Sequence, residues 1–213
     1  MIKLVLLGML TILPAAALAQ DATQVMERAA DSYQALTSFS ADFTQSIDDA
    51  MLGNYRSAGH LAQSGDVKLS MRFTEPGGDA IVVDGTNAWL YLPSSAPGQV
   101  VKLSVNQLPD FFNLSRLLTQ PGRRFEARSA RTERVGERTT DAVVLVPREA
   151  DLPFTEVTLW VDREDGLPRR LQLKERSGAV RTFTFTNIRT NERLPNRTFT
   201  FEVPPGVHVI DNM

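Results

Sequence analysis

The chain has 213 residues, with 23 Lys and Arg against 25 Asp and Glu, a formal net charge of −2, and no cysteine. A charge so close to balance gives no electrostatic basis for binding nucleic acid or an anionic membrane surface. Without thiols there are no disulfides, thiolate metal sites or cysteine nucleophiles, so stability must come from sheet and core.

Met1-Ile2-Lys3 forms a short positive start, Leu4 to Leu13 an apolar run, and Ala17-Leu18-Ala19 a small-x-small site before Gln20. This predicts a cleaved secretory signal peptide over residues 1–19, since the run is well short of the roughly 20 residues that span a bilayer. Loss of Lys3 takes the charge from −2 to −3. The remainder, residues 20–213, is enough for one domain with a sizeable core. No Cys follows the apolar run. The chain is therefore expected in the periplasm, exported and not lipid-anchored itself.

Ala22 to Thr37 carries Val25, Met26, Ala29, Ala30, Tyr33 and Leu36 along one stripe, which predicts a helix. Strands are predicted at Ser40–Gln45 and Tyr55–Gln63. The next, Val67–Phe73, alternates strictly between apolar and polar residues. Ala80–Val83 and Asn87–Leu92 follow, joined by the hairpin signal Asp84-Gly85, and then Val100–Leu103. From Asn106 to Gln120 the period changes, with Leu108, Phe111, Phe112, Leu114, Leu117 and Leu118 at helical spacing before Pro121-Gly122. Strands resume at Arg124–Thr132, Asp141–Val146, Thr155–Val161 and Arg169–Lys174. Two Phe/Thr-alternating runs, Thr182–Ile188 and Thr198–Val203, are predicted to finish the sheet. In all, about ten or eleven strands with short connections and two helices point to a sandwich or barrel of α+β class, mainly antiparallel.

No catalytic constellation emerges. His60 and His208 have neither metal-ligand nor nucleophile–base spacing, and Asp162 to Gly166 lacks the alternating ligands of a calcium loop. Adjacent Asp48 and Asp49 point to opposite faces of a strand, and Gly77-Gly78 precedes a strand instead of a helix. The arginines from Arg123 to Arg138 are interleaved with Glu126, Glu133 and Glu137, a solvated mixed-charge face. No enzyme, cofactor or metal is expected. What remains is apolar: an ordinary core, or a cavity, since many curved strands covered by only two helices tend to enclose space for a ligand.

Three stretches, Leu36–Gln45, Val82–Pro93 and Phe199–Val209, resemble in order and separation the periplasmic outer-membrane lipoprotein carrier family (LolA type). The resemblance implies an incomplete, strongly curved β-barrel of about 10–11 strands covered by helices, with an apolar cavity for the acyl chains of a lipoprotein. It also implies cargo taken from an inner-membrane ABC lipoprotein exporter and passed to an outer-membrane lipoprotein receptor, by a carrier with no need to be more than a monomer. In the family an Arg-Pro pair before the strand equivalent to Val67–Phe73 helps hold the helical lid; this chain has Gly65-Asp66-Val67 there. Alternative readings are a paralogue carrying another lipid and a periplasmic lipoprotein or envelope-stress sensor. The residues expected at the cavity or its lid are Phe43, Leu69, Met71, Phe73, Trp89, Tyr91, Phe111, Phe112, Leu114, Leu117 and Leu118. Alternation puts Trp89 and Tyr91 opposite Ala88, Leu90 and Leu92 without saying which side looks inward; the aromatic side is taken as the inner one.

Overall fold

The alternating runs build one twelve-stranded sheet, in the order β12-β6-β5-β4-β3-β2-β1-β11-β10-β9-β8-β7. The computed structural model describes residues 15–51, 53–108, 113–150 and 152–212, with side chains from Ala22 onward. The strands are β1 Ser38–Asp49, β2 Gly53–Ser64, β3 Lys68–Glu75, β4 Gly77–Asp84, β5 Asn87–Tyr91, β6 Gln99–Ser104, β7 Phe125–Val135, β8 Arg138–Pro147, β9 Phe154–Asp162, β10 Pro168–Glu175, β11 Val180–Thr190 and β12 His208–Asp211. Neighbouring strands are antiparallel except β12, which joins β6 in parallel. β7 and β12 are the two ends, and the sheet curves without closing on itself. This is the mainly antiparallel, incomplete barrel that the family resemblance implies, with twelve strands where about ten or eleven were expected.

Its concave face is mainly apolar. Phe39, Phe43, Leu61, Leu69, Met71, Ile81, Val83 and Ala88 on one side join Val143, Leu145, Val157, Leu159, Leu171, Leu173, Phe183 and Phe185 on the other in a single buried cluster. Among the described residues, α1 Ala15–Gln34 and α2 Leu114–Leu118 fill the hollow, and α3 Pro121–Arg124 sits beside them against α1 and β7. The predicted stripe of α1 is the buried one, with Ala22, Val25, Met26, Ala29, Ala30 and Tyr33 all inside, and Leu36 packs on the cluster just beyond the helix. α1 lies against β7 and β8 and touches both short helices. Among the described residues no helix is long and apolar enough to cross a membrane. Residues 1–14 of the predicted signal peptide lie outside the described residues, and residues 15–19 belong to α1.

Two predicted elements come out differently. The helix expected over 106–120 is a 3-10 turn at Val105–Gln107 followed by α2. Leu108 is extended (φ −74°, ψ 129°), as the residue before Pro109 prefers to be, and this ends the first helical turn. Thr198–Val203 is not a strand. A 3-10 turn at Asn196–Phe199 packs on β3 and β4, and the chain then crosses the convex face to reach β6 as β12. Alternation in this stretch serves packing, not pairing: Phe199 is buried and Phe201 lies on Trp89 and Tyr91, with ring centroids 5.7 Å away in each case. The strap also accounts for the burial of the outward-facing Ser70, Ala80 and Val82.

The β9–β10 turn is held by ions. Asp162, buried at the end of β9, accepts from Arg138 Nε at 2.5 Å and Arg169 Nε at 2.8 Å, and its other oxygen accepts from Glu164 N at 2.8 Å. Burial disfavours its charge, but the Arg138, Glu164 and Arg169 hydrogen bonds outweigh that and lower its pKa from 3.8 to about 2. A carboxylate with a depressed folded pKa contributes stability above the unfolded value and loses it as pH falls through the folded one. Stability should therefore drop by about 2 kcal/mol between about pH 4 and pH 2, beyond what other groups contribute. Asp162→Asn should remove that segment of the acid-denaturation curve; an unchanged curve would show that Asp162 is not the group responsible.

Candidate functional site

The region expected to hold a ligand is the concave face and the helices that stopper it. Phe43, Leu69 and Met71 are buried on that face, and Leu114, Leu117 and Leu118 of α2 are buried against it. Phe73 is partly buried against the same cluster and meets Phe43 edge-on, with ring centroids 5.3 Å apart at 88°. Phe111 and Phe112 lie outside the described residues.

Trp89 and Tyr91 face the other way. The inner side of β5 is Ala88 and Leu90, with Leu92 beyond it, so the expected inward direction of the aromatic pair is corrected to outward. The physical reason is the strap: Trp89 stacks on Phe201, donates its indole N–H to Asp84 at 3.2 Å, and lies under the Lys102 ammonium, 5.7 Å from the ring centroid. Partial exposure with a polar handle suits indole and phenol rings better than the fully dry interior. Neither residue reaches the hollow.

Alternation did not reveal the polar chain that holds α2 down. Tyr33 on α1 donates its phenol O–H to Gln63 Oε1 on β2, and Gln63 Nε2 donates to Asn113 Oδ1. Asn113 Nδ2 donates to the Asp66 carbonyl at 2.8 Å, and Ser115 Oγ donates to Asp66 Oδ1 at 2.6 Å. The same Asn113 oxygen caps α2 by accepting from Ser115 N at 3.0 Å and Arg116 N at 3.4 Å. Gln34 Nε2, at the end of α1, donates to Leu118 O at 2.9 Å. Gln63 and Asn113 are themselves buried, and burial pushes the Tyr33 phenol above its ordinary range, so the chain runs from neutral partners in a dry setting to the exposed carboxylate of Asp66. An Asn directly before Leu-Ser-Arg-Leu-Leu is a readable cap; its partners on β2 and the β2–β3 turn are far away in sequence and are brought in only by the fold.

Asp66 occupies the stretch where the family resemblance places Arg-Pro. Here Asp66 meets the start of the short helix as an acceptor, from Asn113 and Ser115. A notch lined by Tyr33, Gln34, Leu36, Ser38, Phe39, Gln63, Gly65, Asp66 and Ser115 opens beside this latch, between the end of α1 and the β2–β3 turn.

A curved open sheet whose apolar inner face is covered by helices, and not by the sheet's own closure, is the architecture of an open-barrel lipid-binding protein. The comparisons agree with it. Residues 34–202 match the model of the family described as outer membrane lipoprotein carrier protein LolA, and the chain belongs to that family. An outer-membrane lipoprotein carrier protein of Chromohalobacter salexigens is 29% identical over 197 residues, covering 90% of this chain and 89% of that one. The Pseudomonas aeruginosa protein of the same name is 25% identical over 193 residues, covering 89% of each. Among solved structures, an uncharacterized conserved protein from Thermus thermophilus superposes with a TM-score of 0.57 at 13% identity, covering 91% of this chain and 100% of that one. The Pseudomonas aeruginosa MucA/MucB complex gives 0.50 at 15% identity, covering 89% of this chain and 63% of that one. At such identities the structural likenesses concern the fold alone.

Proposed function

We propose that the protein carries lipoproteins through the periplasm by sheltering their acyl chains between the concave face of the sheet and α1 and α2. The observation that carries this reading is the filling of the hollow: α1 and α2 supply its buried contents, and α2 is only five residues long and held by a few side-chain hydrogen bonds. Displacing α2 exposes an apolar channel already lined by Phe43, Leu69, Met71 and Phe73. Acyl chains then replace the leucines. Each methylene taken out of water contributes about 0.8 kcal/mol, which is why a multi-chain lipid needs a dry container to cross an aqueous space.

In this scheme the first 19 residues are removed on export and the mature chain works as a monomer. Cargo passes from an inner-membrane ABC exporter to an outer-membrane receptor by successive binding equilibria, with no bond made or broken. Native mass spectrometry of the protein purified from its own periplasm tests the scheme. A one-to-one complex with an acylated lipoprotein is expected. A free lipid of another kind would replace lipoprotein cargo with that lipid, and a protein that stays empty and also refuses a diacylated lipopeptide would sink the carrier reading.

A further inference from the structure

The concave face contains one polar break that neither the fold nor the latch uses. Along paired strands β1 and β2 the inner residues face each other in rungs: Phe39 with Gln63, Ala41 with Leu61, Phe43 with Gly59, Gln45 with Ser57, Ile47 with Tyr55. Gln63 is committed to Tyr33 and Asn113. The Gln45–Ser57 rung lies at the opposite end of the hollow, one step inside Tyr55, which is 46% exposed and marks the rim. Both polar residues are nevertheless buried, Gln45 at 8% and Ser57 at 4% exposure, and Phe183 flanks Gln45 on β11. The Ser57 hydroxyl has no hydrogen-bond partner. Beyond it β3 has already run out, since its pairing with β2 begins at Ala58 and Glu75.

A buried hydroxyl without a partner weakens the fold that contains it, and a valine or alanine would fit an apolar face better. A cargo that brings an acceptor to this rung would remove the defect. Resting on the acyl-carrying reading above, we infer that Ser57 and Gln45 form the polar collar of the cavity, donating hydrogen bonds to the ester carbonyls of a diacylglyceryl group while its chains run inward past Phe43 and Leu61. Facing side chains on paired strands begin about 5 Å apart, a separation that ester groups on adjacent glycerol carbons can bridge. The collar reads linkage chemistry, which the hydrocarbon-lined remainder of the hollow cannot do.

The test compares two synthetic lipopeptides on the mature chain: a dipalmitoyl-S-glyceryl-cysteine peptide with ester links and its dihexadecyl ether analogue, which lacks the carbonyls. Wild-type protein should bind the ester form more tightly. Ser57→Ala should weaken ester binding about three- to tenfold, leave the ether analogue unchanged, and raise the melting temperature of the empty protein by about 2–4 °C. Ser57→Cys, close in shape but a poor donor, should show the same ester-specific loss. Equal affinity of wild type for both probes, or an equal effect of Ser57→Ala on both, would overturn the collar while leaving the carrier standing. Wild-type protein that takes up neither probe would overturn both.

Discussion

Gly59→Ala is expected to lower the melting temperature by about 6–12 °C, corresponding to about 3 kcal/mol. A Cβ built at Gly59 falls 2.2 Å from the Arg72 carbonyl oxygen and 2.8 Å from Phe73 Cα. Both contacts are backbone, so no side-chain rotation relieves them. The position is not one of the positive-φ glycines, which means that space and not backbone conformation demands glycine here. β2 shifts register against β3 between Ala58 and Gly59, and the close approach belongs to that kink. Phe43 and Phe73 are the rung partners of Gly59 on either side, and their rings meet edge-on across it. The bare glycine thus lets the sheet bend sharply while the two rings cover the gap. Gly77→Ala is the matched control: its Cβ meets nothing nearer than the Thr74 carbonyl at 3.6 Å, and its melting point should stay close to wild type. If the two variants melted alike, the close approach at Gly59 would not be what shapes this part of the barrel.

Strand periodicity is a local property, and it made most of the sheet legible. The strict alternation of Val67–Phe73 reappears as β3 with Leu69 and Met71 inside, and the α1 stripe is buried nearly residue for residue. Alternation cannot say which of two faces a strand buries when both are apolar. On β5 the choice was decided by a strap from the far end of the chain, through Phe201, and that strap was itself hidden because Thr198–Val203 alternates as a strand would. The run needed a pairing edge, but with β6 already beside β5 the chain covered the convex face instead and supplied its own edge strand later, at β12. The helical stripe around Leu114–Leu118 is buried as its spacing predicts, yet the helix is shorter than expected because apolar spacing carries no penalty for Pro109 or for the Asn113 cap. Of the residues named for the candidate site, the burial of Phe43, Leu69 and Met71 was readable from alternation, and the polar contacts around α2 were not. The Tyr33–Gln63–Asn113–Asp66 chain joins residues from distant parts of the sequence, on α1, β2, the β2–β3 turn and the start of α2, and no local pattern announces such a meeting.

Asn113→Ala should open the stopper. The substitution removes the acceptor that caps α2 at Ser115 N and Arg116 N, the acceptor for Gln63 Nε2, and the donor to the Asp66 carbonyl. Loss of a cap costs about 1 kcal/mol, and leaving the buried Gln63 amide without its acceptor costs about 1–3 kcal/mol more. Most of this falls on α2, because Leu114, Leu117 and Leu118 still fit their apolar wall while, of the polar chain, the helix start keeps only the Ser115 hydroxyl bond to Asp66. Hydrogen exchange reads the local effect directly: the Leu117 amide, bonded to Asn113 O, and the Thr119 amide, bonded to Arg116 O, should exchange about 30-fold faster. If the closed form is what a lipid must displace, the same free energy is subtracted from the cost of opening, and the apparent affinity for a diacylated lipopeptide should rise by up to the same factor. Ser115→Ala, which removes only the hydroxyl bond to Asp66 Oδ1, should move both quantities in the same direction by less. Faster exchange with unchanged affinity would mean that α2 is loose but not the gate; unchanged exchange would mean that the leucines alone hold it, and the polar chain would then serve the β2–β3 turn instead of the cavity.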